Sequence, residues 1–165
     1  MKVEVALQRL QEILPLAERR GRLAAPVAAA HREILRTFAE RGRLPTAREV
    51  AAAAGAGALA ELARNDLVVL GADGEITGAY PMTTAETPHR VRVNGHALYA
   101  MCALDALAVA PMFGAEVETR SACHVTGAPI RVVQRGEAVT AADPPESLHV
   151  GVRWGPVGGT AAGSL

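Results

Sequence analysis

Three features of the sequence predict an α+β protein. Apolar stripes of helical period run from Val3 to Arg64, polar and apolar residues alternate in runs after Leu67, and one long apolar stretch, Asn94 to Gly114, interrupts the second half. The expected architecture is an N-terminal winged-helix-like module of three helices with a β-wing, followed by a small mixed β-sheet domain carrying one central helix. Its expected segments are an N-terminal helix (1–25), the winged-helix-like module (26–85) and a core domain (86–165).

The first helix is read from Val3, Leu7, Leu10, Ile13, Leu14 and Ala17, interrupted or kinked near Pro15, whose ring blocks a helical hydrogen bond. A second helix runs from about Pro26 to Glu40, with Ile34, Leu35 and Phe38 inward and Gly42 beyond its end. Thr46-Ala47-Arg48-Glu49 pairs a hydroxyl and a carboxylate as a capping box, so a third helix starts there and ends at Gly55. A short helix from about Ala58 to Arg64 follows. Leu67 to Leu70, a turn at Asp73-Gly74, and Glu75 to Thr77 read as a hairpin, the wing. His89 to Val93 alternates as a half-buried strand and feeds through Asn94-Gly95 into a helix of Ala, Leu and Met from Ala97 to Ala108, stopped by Pro111 and Gly114. Glu116 to Arg120 and Ile130 to Val133 read as paired strands, and Cys123 starts a turn closed by Gly127 between them. A last strand, Leu148 to Trp154, precedes a Gly-rich end.

Composition narrows the function classes. The 165 residues carry a formal net charge of zero, and the pI is near 7.0, so no whole-molecule field draws in nucleic acid or anionic membrane. The segment that would read DNA, Ala58 to Asp66, offers one Arg against two acids, where base and phosphate contacts need several cationic or amide side chains. Nucleic acid is therefore not an expected partner, and the arginines at 19, 20 and 22 and at 41, 43 and 48 are read as solvated helix ends. No run reaches the roughly 20 apolar residues of a membrane span. Two cysteines are too few for a secreted disulfide scaffold, and a charged N-terminus is no secretory signal, so a reducing cytoplasm is expected. Lys2 is the only lysine, and the bias to Ala, Arg and Gly suggests a bacterial genome of high GC content.

The chemistry concentrates at Cys102 and Asp105. On a helix, a spacing of three residues puts their Cβ atoms roughly 5–6 Å apart on one face. A carboxylate in apolar surroundings is pushed toward its protonated form, so a proton donor stands beside a soft sulfur ligand. A bland reading stands next to it, in which the thiol is a small buried hydrophobe and Asp105 binds a backbone group. A zinc site built on Cys102, Cys123 and His124 lacks the paired ligand spacings such sites use. Cysteine hydrolysis needs a histidine beside the thiol, and His96 lies six residues upstream on another helix face. Redox sensing needs Cys102 and Cys123 within about 7 Å between Cα atoms.

The run Leu98-Tyr99-Ala100-Met101-Cys102-Ala103-Leu104-Asp105-Ala106-Leu107, followed by Ser121 to Pro129 with its Cys-x-x-x-Gly-x-Pro loop, resembles the catalytic core of alkylmercury (organomercurial) lyases. The order of parts is similar as well, from about Ala28 onward. The resemblance implies protonolysis of a carbon–mercury bond, with release of a hydrocarbon and retention of Hg(II). It makes Cys102 the first thiolate on mercury and Asp105 the group that relays the proton, both as mercury ligands, with Cys123 and Gly127 structural and Cys123 buried under its loop. Thiolate is the ligand that soft Hg(II) prefers. The implied partners are a small organomercurial or soft-metal ligand and low-molecular-weight thiols, with no resident cofactor.

The family also uses a second catalytic cysteine further along the chain, whereas no cysteine follows Cys123 here. The sequence is then either a piece ending before that residue or a divergent member. Two alternatives to a lyase accompany this departure: a non-catalytic thiol protein of the same fold that binds or senses a soft metal or organometal, and a winged-helix DNA regulator.

Overall fold

The structure, a computed structural model, describes residues 3–145 and 148–151. Five helices come first: α1 (Val3–Ile13), α2 (Leu16–Gly21), α3 (Ala25–Arg41), α4 (Ala47–Ala54) and α5 (Ala58–Arg64). Three short strands follow, β1 (Val68–Leu70), β2 (Ile76–Ala79) and β3 (Met82–Thr83), then β4 (Arg90–Val93) and β5 (His96–Ala100). Helix α6 (Ala103–Phe113) and strands β6 (Glu116–Ala122), β7 (Pro129–Arg135) and β8 (Ala138–Asp143) complete the described chain.

The helix is interrupted at Pro15, one of the two outcomes expected there, and Pro15 stands as the N-cap of α2. Of the expected stripe, the side chains of Val3 and Leu7 lie outside the described set. Thr46 forms the full capping box with Glu49, its side chain accepting from the Glu49 N–H and its own N–H donating to Glu49 Oε2 at 2.7 Å. Glu75 on the β1–β2 hairpin accepts from the Ala47 N–H at 2.8 Å, a carboxylate at the positive end of α4.

Gly42 ends α3 in the left-handed region at φ +64, and a Cβ there would lie 2.8 Å from Nδ1 of His96. Only glycine meets both demands. The close approach lets the β4–β5 turn cap the last carbonyls of α3: Asn94 Nδ2 donates to Ala39 O at 3.3 Å and His96 Nε2 to Glu40 O at 2.8 Å. Arg19 of α2 reaches Asp66 at 3.0 Å, so one arginine expected to be a solvated helix end joins α2 to the segment entering β1.

All eight strands belong to one sheet in the order β1-β2-β3-β5-β4-β6-β7-β8, and every pair is antiparallel. The expected mixed sheet is therefore corrected, and β1 and β2, the strands expected to form a wing, are continuous with the rest. Strands β5 and β6 run in the same direction on either side of β4, and α6 makes the crossover between them. Val91, Val93, Leu98 and Val117 face α6, which buries Ala106, Val109 and Ala110 in a cluster that extends to Ile34, Phe38 and Leu62. The opposite face is charged: Glu118 accepts from Arg120 at 2.8 Å and from Arg131 at 2.7 Å, and Glu116 from Arg135 at 2.9 Å.

Further corrections concern elements around α6. Ala97 to Ala100 is strand, not helix. Asn94 and Gly95, at φ 49 and 82, form the turn of a β4–β5 hairpin, and β5 then fills the gap between β3 and β4. Pro111 lies inside α6 and does not stop it. The carbonyl that a residue-111 amide would have served, Leu107 O, instead accepts from Gln134 Nε2 of β7 at 3.3 Å. Strand β8 was not expected, because Ala138 to Asp143 is an exposed edge with no alternation to read. Leu148 to Gly151 is not strand, and the remainder of the expected last strand, 152–154, lies outside the described residues, as does the Gly-rich end.

Candidate active site

Cys102 is the N-cap of α6, with extended backbone at φ −148 and ψ 179, and its Sγ accepts from the Asp105 N–H at 3.5 Å. Asp105, the third residue of the helix, turns its carboxyl back toward the thiol and backbone N–H of Cys102. The Cys102 thiol thus caps α6, with sulfur in the place that a hydroxyl usually takes at an N-cap. Both residues are half-buried, so the pair is desolvated yet reachable from solvent.

Burial sets the protonation of both groups. It pushes the Cys102 thiol up to about 12, reinforced by the Asp105 charge and opposed by the backbone amides of Asp105 and Leu104. It raises the Asp105 carboxyl to about 6, against the pull of the Cys102 thiol and amide. At neutral pH the sulfur therefore holds the proton and donates it to a largely ionised carboxylate.

Tyr80 completes the surroundings and carried no sequence signal. It occupies the tip of the β2–β3 hairpin and is nevertheless 5% exposed, its hydroxyl without a hydrogen-bond partner. Burial raises its phenol, helped by the charges of Asp66, Asp105 and Cys102. The histidines serve elsewhere: His96 caps α3, and His89 Nδ1 lies 2.9 Å from Ser121 Oγ. Among the described residues, no group of three or more His, Cys, Asp or Glu is gathered as a metal would require.

Cys123 begins the expected turn, with the Gly127 N–H donating to its carbonyl at 2.8 Å and Gly127 at φ +72. It is half-exposed, not buried under the loop. Thr126, through hydroxyl and amide, and the Val125 amide face its sulfur and hold the thiol below the usual range. Both cysteines are free thiols.

An α+β fold whose crossover helix opens on a thiol and acid pair defines a class of thiol–acid proteins. The alkylmercury lyase family model matches residues 82–164, half of the sequence and the part that contains the pair. The chain belongs to the alkylmercury lyase family. It is 39% identical over 71 residues to the alkylmercury lyase of Streptomyces lividans, covering 43% of this chain and 33% of that protein. With the alkylmercury lyase of Staphylococcus epidermidis it is 39% identical over 77 residues, 47% of this chain and 35% of that protein. These matches span about a third of the relatives' length. The crystal structure of the mercury-bound form of MerB2 aligns with a TM-score of 0.67 at 23% identity, over 83% of this chain and 68% of that one, a likeness of fold.

Proposed function

We propose that the protein is an organomercurial lyase that breaks carbon–mercury bonds by protonation. The reading is carried by the reciprocal Cys102–Asp105 pair at the start of α6. As Cys102 sulfur bonds to mercury and displaces a ligand there, its proton passes to the Asp105 carboxylate. The new acid delivers that proton to the mercury-bound carbon, the carbon–mercury electron pair becomes the C–H bond, and the hydrocarbon leaves. Hg(II) stays on sulfur, and a low-molecular-weight thiol is the second ligand that draws it off. Three features support each step: sulfur softness favours mercury, the amides of Leu104 and Asp105 favour the thiolate as it forms, and an acid near pH 6 both accepts and returns a proton at neutral pH.

In this reading residues 26–85 are a winged-helix-like packing module, α3 to α5 with β1 and β2. The capping of α3 from Asn94 and His96 supports that role. The site residues are Cys102 and Asp105, with Cys123 and Gly127 shaping the loop after β6, and no resident cofactor takes part. Among the described residues no helix is long and apolar enough to cross a membrane, and we place the protein in the cytoplasm, where thiols are abundant.

The test is incubation with phenylmercury and excess low-molecular-weight thiol, with benzene measured by gas chromatography. Release that disappears in both Cys102→Ser and Asp105→Ala is the expected result. Stoichiometric mercury uptake without benzene assigns binding alone.

A further inference from the structure

We propose that Tyr80 is a positioning residue for Asp105, its phenol hydroxyl donating the hydrogen bond that holds the Asp105 carboxylate once the Cys102 proton has been spent. The inference rests on the lyase reading and extends it to a residue outside the motif.

Tyr80 and Pro81 form the two-residue turn between Ala79 and Met82. Such a tip ordinarily projects into water. This one is fastened inward, because Pro81 O accepts from the Met101 N–H at 3.1 Å and Met82 pairs with Ala100, in the segment that leads into Cys102. The phenol is consequently buried, where the charges of Asp66, Asp105 and Cys102 reach it. The charged and titratable groups facing it are Asp66, Asp105, Cys102 and Arg19, and of these Asp66 is paired with Arg19 at 3.0 Å.

A buried hydroxyl that spends no hydrogen bond is unfavourable and calls for a state in which it is used. In the resting pair the Cys102 thiol serves the Asp105 carboxylate, and the phenol has nothing to do. After sulfur has taken mercury and Asp105 has protonated carbon, the carboxylate is ionised again in the same desolvated place without the thiol donor. A buried carboxylate short of donors is costly, and the Tyr80 O–H, which its charge reaches, is a buried donor without a partner. No proton changes hands in this contact; the phenol remains protonated throughout.

The chain has two tyrosines, Tyr80 and Tyr99, so 3-fluorotyrosine labelling gives two ¹⁹F signals, assigned by the loss of one in Tyr80→Phe. One equivalent of mercuric chloride, added in a Cys123→Ser background so that the more reactive loop thiol cannot take the metal, removes the Cys102 proton and mimics the state after hydrocarbon release. The Tyr80 signal is expected to shift, the Tyr99 signal to stay, and the Tyr80 shift to vanish in Asp105→Asn. Mercury uptake is read separately, as loss of alkylatable Cys102 in peptide maps. An unmoved Tyr80 signal with Cys102 occupied, or an equal shift in Asp105→Asn, overturns the inference and leaves the lyase reading intact; an unoccupied Cys102 overturns both. Tyr80→Phe is also expected to melt no lower than wild type, since its hydroxyl has no resting partner, while lowering kcat for phenylmercury by about ten- to a hundred-fold at unchanged KM. A lower melting temperature would assign the hydroxyl to a structural hydrogen bond instead.

Discussion

The Asp105 amide points at Cys102 Sγ from 3.5 Å, so the two residues that form the thiol and acid pair also begin the helix that carries them. Position and chemistry are coupled, because the Cys102 sulfur that caps the helix also shares its proton with the Asp105 carboxyl.

That coupling makes the two thiols differ in reactivity. Burial and the Asp105 charge hold Cys102 protonated, up to about 12, while the Thr126 hydroxyl and then the loop amides hold Cys123 below the usual range. Iodoacetamide at pH 7.5 is expected to label Cys123 first. Asp105→Asn removes the negative charge that disfavours the thiolate, and is expected to speed Cys102 labelling by about ten-fold, one pKa unit's worth of thiolate. Peptide mapping over time reads both rates, and slower Cys102 labelling in the variant would contradict the assignment.

His31 on α3 is 3% exposed, and its imidazole falls from 6.5 to about 4, through burial first and then the Arg20 charge. The unfolded chain protonates this histidine between those values while the folded chain does not. Stability is fully present above pH 6.5 and is lost as pH falls toward 4, by about 3 kcal/mol in all. Urea unfolding at pH 7.5 and 4.5 is expected to show that loss, and His31→Leu to show a smaller one. An equal loss in both proteins would place the acid sensitivity elsewhere.

Gln134 supplies the donor that Pro111 cannot. Gln134→Leu leaves the Leu107 carbonyl unserved in the core and is expected to cost about 1–3 kcal/mol. Pro111→Ala restores a backbone N–H four residues along the helix, so the double variant should lose less than the sum of the two single changes. Strict additivity in chemical denaturation would mean that the two donors do not share that carbonyl.

Gly42 brings α3 against the β4–β5 turn. Gly42→Ala forces an L residue into a left-handed backbone, at about 1–2 kcal/mol, and drives its Cβ against the His96 ring. A fall in the thermal midpoint is expected, together with faster hydrogen exchange at the His96 ring and the Asn94 side-chain amide. No change in either would remove the proposed link between the helical module and the sheet.

Much of this architecture is written within a few residues of where it acts. Thr46 and Glu49 start a helix by themselves, Gly42 and Gly114 end helices in left-handed turns, and Val91 and Val93 alternate with Arg90 and Arg92 as one face of a strand. The Cys-x-x-Asp spacing, with the Cys-x-x-x-Gly-x-Pro loop, sufficed to point to the family. Other outcomes depended on residues distant in sequence. Ala97 to Ala100 has the composition of a helix and became a strand, because Met82 and Thr83 on one side and Arg90 to Val93 on the other offered open backbone edges. Pro111 remained helical because Gln134 arrived from β7. The start of α6 at Ala103 and the burial of Tyr80 likewise go with the docking of the β2–β3 hairpin on Met101. Caps, turns and alternation are local, so the sequence by itself determined them; strand partners, spare donors and the loss of water around a thiol come from elements that meet only when the chain has folded, and those the tertiary structure alone decided.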